Sequence, residues 1–118
     1  MVKFICYPRC ITCQNARKWL ESNGIEYELR DIKLESPTRE ELCEWYRASG
    51  LPLKRFFNTS GLLYKSLELK DKLPTMSEDE MLSLLASAGM LVKRPLLIDG
   101  STVLVGFKMA DWSAALLK

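Results

Sequence analysis

Two cysteines, Cys10 and Cys13, stand three positions apart and form a CxxC motif. The motif follows a short apolar stretch that ends at Cys6 and a turn-forming segment, Tyr7-Pro8-Arg9. Two thiols with this spacing can close a disulfide and be reduced again, so the pair can cycle between dithiol and disulfide. The motif therefore predicts a redox site.

The residues after Cys10 have the spacing of a helix whose apolar stripe consists of Ala16, Trp19 and Leu20. The CxxC motif therefore lies at a helix N-terminus, directly after a strand. The first helical turn has unpaired N–H groups and a partial positive charge, and Arg9 adds a cation. Because such surroundings favour thiolate over thiol, we expect Cys10 to be the nucleophile and Cys13, inside the helix, to be the resolving thiol.

The composition limits the class of protein. A chain of 118 residues is long enough for one domain with one core, and its formal net charge of +2 gives no electrostatic case for nucleic-acid binding. The sequence has no histidine, which excludes Cys–His and Ser–His nucleophile pairs and most zinc sites. Three of the four cysteines lie between positions 6 and 13, which favours a cytoplasmic redox protein over a secreted disulfide scaffold.

The other cysteines, Cys6 and Cys43, are interpreted as buried structural residues. The spacing Cys6-x3-Cys10-x2-Cys13 is also the one by which radical SAM enzymes hold a [4Fe–4S] cluster. That alternative is disfavoured because Cys6 ends a strand and because the chain is short for such an enzyme. A zinc site with Cys43 as the fourth ligand is disfavoured as well.

The elements that must position the motif follow from periodicity. A strand at Val2–Cys6, a helix at 11–22 and a strand at 25–32 predict a βαβ unit with parallel strands. The last part of the chain predicts a hairpin, 96–98 and 103–106 around Asp99-Gly100, and a helix at about 109–117.

The middle of the chain, about 37–89, reads as helical segments. One helix begins either at Thr38, in a capping box with Glu41, or at Ser36 with Pro37 as the first helical residue. Ser77 and Glu80 form a second capping box. We predict one α/β domain, residues 1–118, with the order βαβ, helical insert, ββα.

These features resemble the arsenate reductase (ArsC) family, which is thioredoxin-like and includes the Spx-type regulators; the similarity is greatest to its small members of the YusI and YffB type. The resemblance covers essentially the whole chain and implies a mixed four-stranded sheet. Its motifs are Tyr7-Pro8-x-Cys10-x-x-Cys13, Phe56-Phe57-Asn58-Thr59-Ser60-Gly61, Met76-Ser77-Glu78-Asp79-Glu80, Lys93-Arg94-Pro95-Leu96 and Val105-Gly106-Phe107-Lys108.

The resemblance assigns the attacking cysteine of the family to Cys10. Glutaredoxin-dependent arsenate reductases have serine three residues later, whereas this chain has Cys13, as Spx does, and so has an internal resolving thiol. The resemblance also implies that Pro95 is a cis proline beside the reactive cysteine.

Of the three family arginines that hold an oxyanion, one falls on Arg94, one near Asn58 and one near Gly106-Phe107. Arginine is absent at the last two places, and the nearby cations Lys54, Arg55 and Lys108 are out of register. We therefore expect a general redox role rather than arsenate reduction, with an anion-binding set composed of Arg94, Pro95, Arg9 and Asn58.

Two functions of different classes follow from the resemblance. The first is a cytoplasmic thiol–disulfide oxidoreductase without a bound cofactor or metal, reduced by glutaredoxin with glutathione or by thioredoxin and acting on a small oxidised substrate. The second is an Spx-like redox-sensing regulator that binds the C-terminal domain of the RNA polymerase α subunit. The CxxC motif together with Arg94 favours the enzyme, and the near-neutral charge does not favour a transcription role.

Overall fold

The computed structural model describes residues 1–117, which form a mixed four-stranded sheet with helices on both faces. The sheet order is β2-β1-β3-β4; β1 pairs in parallel with β2, and β3 runs antiparallel to both β1 and β4. The strands are β1 (Val2–Cys6), β2 (Tyr27–Asp31), β3 (Leu96–Asp99) and β4 (Thr102–Val105).

The helices follow the predicted order of βαβ, helical insert and ββα, which the structure confirms. Helix α1 connects the parallel strands, α2 to α5 make up the insert with three short 3₁₀ segments, and α6 follows the hairpin. The α-helices are α1 (Ile11–Ser22), α2 (Arg39–Ser49), α3 (Leu62–Ser66), α4 (Leu69–Lys72), α5 (Glu78–Ser87) and α6 (Met109–Leu116), and the 3₁₀ segments are Leu53–Phe56, Leu73–Thr75 and Gly89–Leu91. Within residues 1–117, no helix has the length and apolar character required to cross a bilayer.

Strand β1 is an inner strand of the sheet, and its successive apolar side chains are buried in two hydrophobic cores, one on each face of the sheet. Phe4 is fully buried on the face covered by α1 and α6, where it packs with Leu20 and Trp112. Ile5 is fully buried on the opposite face, against residues of the insert such as Leu85. This alternation is what a strand between two helical layers requires.

The two predicted capping boxes are both present. The hydroxyl of Thr38 accepts from the Glu41 N–H at 3.1 Å and the Glu41 carboxylate accepts from the Thr38 N–H at 3.0 Å, so α2 begins after Thr38 and not after Ser36. Ser77 and Glu80 make the same reciprocal pair at the start of α5. Each box satisfies donors that the first helical turn leaves unpaired.

Strand β2 is shorter than the predicted 25–32. The Ile25 N–H donates to the Leu20 carbonyl at the end of α1, and pairing with β1 begins only where Val2 meets Tyr27. The backbone of Ile25 thus belongs to the end of α1, and the apolar alternation there does not produce a strand.

The insert is tied to the stretch before β3 by a short antiparallel bridge between Phe57 and Val92. The Asn58 N–H donates to the Leu91 carbonyl and the Lys93 N–H to the Phe56 carbonyl, both at 2.7 Å. These bonds bring the loop after the first 3₁₀ segment beside the Lys93-Arg94 pair.

Candidate functional site

Cys10 is the N-cap residue of α1 and is half-buried at the surface. Its N–H donates to the Tyr7 carbonyl at 2.9 Å across a turn that contains Pro8 and Arg9, and its own carbonyl accepts from Gln14. The Gln14 side chain donates back to the Pro8 carbonyl at 3.0 Å. The strand–turn–helix junction therefore holds the backbone of Cys10 in a fixed position.

Cys13 lies one turn inside α1, and only 1% of its surface is exposed. Its sulfur accepts a hydrogen bond from the Tyr7 N–H at 3.4 Å. A hydrogen bond with the Cys6 thiol, together with burial, raises the pKa of the Cys13 thiol well above its ordinary range. Cys13 is therefore a protonated, shielded thiol in the reduced protein, whereas Cys10 is the member of the motif that a substrate can reach.

The two cysteines of the motif lie near each other, Cys10 at the N-cap of α1 and Cys13 in its first turn. The four cysteines are all in the free thiol form. Among residues 1–117, no group of three or more Cys, Asp or Glu side chains is arranged to hold a metal ion. Two free thiols at this spacing can take part in thiol–disulfide exchange.

Cys10 opens onto a cleft of about 780 Å³. None of its lining residues is acidic. Four of them are cationic, namely Arg55, Lys93, Arg94 and Lys108. Its apolar wall comes from α3, from the last 3₁₀ segment and from the chain after β4, through Leu62, Leu63, Met90 and Phe107. A concave site with one sign of charge attracts an anion, and its apolar wall accommodates a larger organic group.

Among the described residues, Arg94 is the cation of the cleft that has a buried donor atom without a partner. Its guanidinium lies 5.3 Å from the centre of the Tyr7 ring, and one terminal nitrogen donates to the Met90 carbonyl at a long 3.4 Å. Its Nε atom is buried without a hydrogen-bond partner in the part of the chain that the structure describes. A buried donor without an acceptor is costly, so an anionic ligand in the cleft would relieve it.

Pro95 follows Arg94 through a cis peptide bond, as the resemblance implied. Pro95 is buried, and its carbonyl accepts from the Gly106 N–H at 2.8 Å. Gly106 has a φ of 75° and its carbonyl accepts from the Trp112 indole at 3.0 Å. These bonds join the entry of β3 to the exit of β4 and fix the position of Gly106, which lines the cleft.

Two of the four predicted anion-binding residues line the cleft and two do not. Arg94 and Asn58 line the cleft, Pro95 supports it from beneath, and Arg9 is exposed on the turn before α1 and does not line it. Lys93 was missed by the sequence analysis. Its position next to Arg94 and before a strand was the available signal, because the loop that precedes a strand commonly carries site residues.

Arg55 and Lys108 were considered out of register with the family arginines, yet both line the cleft. They reach it from the first 3₁₀ segment and from the N-cap of α6, so tertiary structure supplies positive charge where sequence register does not. The site as a whole offers an accessible thiol, a buried thiol in the first turn of the same helix and four cations that line the cleft. This arrangement is suited to thiol–disulfide exchange with an anionic partner.

Comparison with known proteins agrees with this geometry. Residues 6–115 match the family model described as the ArsC family. The chain is 57% identical over 105 residues to the uncharacterized protein YusI of Bacillus subtilis (strain 168), with 89% of each sequence covered.

The solved structure of a possible arsenate reductase from Streptococcus mutans UA159 superimposes with a TM-score of 0.87 at 43% identity, covering 96% of this chain and 98% of that one. The chain is also 31% identical over 108 residues to the regulatory protein MgsR of Bacillus subtilis (strain 168), covering 92% of this chain and 84% of that protein. The similar proteins therefore include both an enzyme-like member and a regulator, on one α/β thioredoxin-like fold.

Proposed function

The chain belongs to the ArsC family, and on this premise we propose that it is a thiol–disulfide oxidoreductase that works through Cys10 and Cys13. The observation that carries the proposal is the contrast between the two thiols: Cys10 is half-buried and lines a cationic cleft, and Cys13 is buried in the first turn of the same helix. A nucleophile must meet its substrate, whereas a resolving thiol must be kept from reacting first.

The reaction proceeds by two exchanges. The Cys10 thiolate attacks one sulfur of a substrate disulfide, forms a mixed disulfide and expels the other sulfur as a thiolate. Cys13 then loses its proton and attacks the Cys10 sulfur, which expels the second substrate thiolate and leaves a Cys10–Cys13 disulfide. The substrate gains two electrons, and the protein loses two.

An external dithiol restores the reduced protein by the same chemistry in reverse. We assign this role to thioredoxin or to glutaredoxin with glutathione. The bound substrate is a small oxidised molecule whose anionic groups meet Arg94 and its neighbouring cations, with Asn58 on the same wall of the cleft. Pro95 and Arg9 act from outside the cleft, Pro95 through its backbone contact and Arg9 through its charge.

A second candidate function is a redox-sensing regulator that binds the C-terminal domain of the RNA polymerase α subunit. The similarity to the regulatory protein MgsR supports this candidate. In it, the Cys10–Cys13 pair acts as a switch and not as a catalyst.

The experiment that tests the proposal measures turnover. The purified protein is mixed with a small anionic disulfide, NADPH and either the thioredoxin or the glutaredoxin–glutathione system, and NADPH oxidation is followed. We expect repeated turnover that requires Cys10. Stoichiometric oxidation without turnover, with retention of the protein on an immobilised polymerase α C-terminal domain, would favour the regulator.

A further inference from the structure

Tyr7 directly follows β1, and the proposed function does not use its side chain. Its backbone is hydrogen-bonded to both members of the redox pair: the N–H donates to the Cys13 sulfur at 3.4 Å, and the carbonyl accepts from the Cys10 N–H at 2.9 Å. Pro8 restricts Tyr7 further, because helical backbone angles are disfavoured for the residue before a proline. The ring of Tyr7 therefore projects from a fixed backbone.

The ring of Tyr7 contacts the side chain of Arg94. The guanidinium carbon lies over the ring, 5.3 Å from its centre, which is within the range of a cation–π interaction. Tyr7 is half-buried and packs against the core on the insert side of the sheet. Because the Nε atom of Arg94 is also buried, water competes less for this contact than it would at an open surface, and the interaction is correspondingly stronger.

Few other groups restrain the guanidinium of Arg94. Among the described residues it makes no ion pair, and its one hydrogen bond runs from a terminal nitrogen to the Met90 carbonyl at 3.4 Å, which is longer than usual. The Tyr7 ring and this long hydrogen bond are therefore the contacts that orient the guanidinium in the part of the chain that the structure describes. Loss of the ring would leave one weak contact.

We propose that Tyr7 is a positioning residue that gives the site its preference for anionic substrates, by holding the guanidinium of Arg94 at the cleft. Arg94 lines the cleft and Tyr7 does not, so the ring acts on the substrate through Arg94. The inference rests on the proposed function, which supplies the substrate, a small anionic disulfide, and it adds the residue that determines how well the anion is recognised.

The physical effect of the ring is preorganisation. Without it the Arg94 side chain would sample several orientations, and an anion would have to immobilise the side chain as it binds, which lowers the affinity. A neutral disulfide makes no such demand on the guanidinium. The backbone hydrogen bonds of Tyr7 to Cys10 and Cys13 do not involve its ring, so a change of side chain tests the ring alone.

The test compares two disulfides that differ in charge: dithiodipropionate, which has a carboxylate on each half, and hydroxyethyl disulfide, which is neutral. The reduced full chain is mixed with an excess of each, samples are quenched with acid, and oxidation of the protein is followed by mass spectrometry. The selectivity ratio is the rate constant for the anionic disulfide divided by that for the neutral one. The dependence on concentration separates the maximum rate from the half-saturating concentration.

We expect Tyr7→Leu to lower the selectivity ratio about fivefold, through a higher half-saturating concentration of the anionic disulfide. Tyr7→Met is measured in parallel, since its flexible apolar side chain fills the space differently and the test then does not depend on the folding of one variant. Tyr7→Phe retains the ring face and should stay within about twofold of the wild type. Tyr46→Leu is the matched control, because Tyr46 is also half-buried against the insert core but does not line the cleft; its ratio should equal that of the wild type.

A double variant shows whether Tyr7 acts through Arg94. In an Arg94→Gln background, Tyr7→Leu should lower the ratio no further, because no guanidinium is left to position. An equal loss in that background, or a Tyr7→Leu ratio equal to that of the wild type, would overturn the inference. If neither disulfide oxidises the protein, the proposed function fails, and calorimetric binding of dithiodipropionate to a Cys10→Ser chain decides the role of Tyr7: a dissociation constant raised about fivefold by Tyr7→Leu supports it, and an unchanged one overturns it.

Discussion

At the scale of single residues, Cys10 and Cys13 have different chemistry although only two residues separate them. Cys10 is the N-cap residue of α1 and is half-buried, and Cys13 is buried with its sulfur accepting a hydrogen bond from the Tyr7 N–H. Three residues make almost one helical turn, so Cys13 lies on the same side of α1 as Cys10 but further from the helix N-terminus. The same CxxC motif thus provides one exposed thiol and one protected thiol.

Arg94 gives the first prediction. Arg94→Lys retains the positive charge but loses the planar guanidinium with its several donors, including the unpaired Nε. We expect the KM for an anionic disulfide to rise about tenfold, because a bidentate contact is replaced by a point charge. Steady-state kinetics measures the effect, and Arg47→Lys on the exposed face of α2 is the matched control. Equal KM values for the two variants would remove Arg94 from substrate binding.

The residues of the site were predictable to different extents. Cys10, Cys13 and Arg94 could be identified because a motif or its flanking proline marks them locally. The convergence of Arg55, Lys93 and Lys108 could not be predicted, because these residues are brought together only when the insert, the stretch before β3 and the start of α6 meet. The hydrophobic periodicity of a single element does not indicate which residues of other elements will lie beside it.

At the scale of elements, local signals determined most boundaries. The predicted bounds of β1 and α1 are those observed, since the turn Tyr7-Pro8-Arg9 separates them and Asn23-Gly24 follows α1. The start of α2 was ambiguous between Ser36 and Thr38, because both can cap a helix. Tertiary contacts favour Thr38: the Glu41 carboxylate that completes its capping box also receives two hydrogen bonds from Arg30 of β2, at 2.7 and 2.9 Å.

This Arg30–Glu41 pair gives a pH-dependent prediction. The hydrogen bonds from Arg30, followed by the backbone bond of Thr38, hold the pKa of Glu41 at about 2. A carboxyl whose pKa is lowered by folding stabilises the fold above its ordinary pKa, and that contribution is lost as the pH falls through the folded value. We therefore expect Glu41→Gln to lower the free energy of unfolding by about 1 kcal/mol at pH 7, measured by urea unfolding. The difference in this free energy between the variant and the wild type should shrink as the pH falls from 4.5 to 2.

The control for this pair is Glu80→Gln. Glu80 occupies the same capping-box position in α5 but makes no ion pair among the described residues. Glutamine can still accept from the N-cap N–H in both helices, so only the loss of the Arg30 contact differs. A Glu80→Gln variant as destabilised as Glu41→Gln would assign the effect to the cap and not to the ion pair.

Gly89 gives a second prediction at this scale. It begins the last 3₁₀ segment of the insert, and a Cβ atom placed there would lie 2.1 Å from the Ile32 carbonyl oxygen after β2. Because the obstacle is backbone, Gly89→Ala should destabilise the fold by about 3 kcal/mol. Gly24→Ala is the control: its φ of 65° is strained but its surroundings are open, so about 1 kcal/mol is expected from urea unfolding. Similar losses for both variants would contradict the close approach.

At the scale of the whole molecule, the two faces of the sheet pack against different parts of the chain. One face packs with α1 and α6 and positions the thiols, and the other packs with the insert, whose loop supplies the wall of the cleft. The order βαβ, insert, ββα was predictable, because each unit has its own periodicity. The cleft was not, because it forms between the units.

The central claim is that Cys10 attacks and Cys13 resolves, and a trapping experiment tests it most directly. Cys13→Ser removes the resolving thiol, so the mixed disulfide at Cys10 cannot be released by Cys13. The variant, combined with Cys6→Ser and Cys43→Ser, is incubated with a small anionic disulfide, and the intact mass is measured before and after reduction. We predict one substrate half attached at Cys10 in every molecule, and no adduct when Cys10→Ser replaces Cys13→Ser. An adduct that forms on Cys13 in the Cys10→Ser chain, with none on Cys10 in the Cys13→Ser chain, would contradict the account.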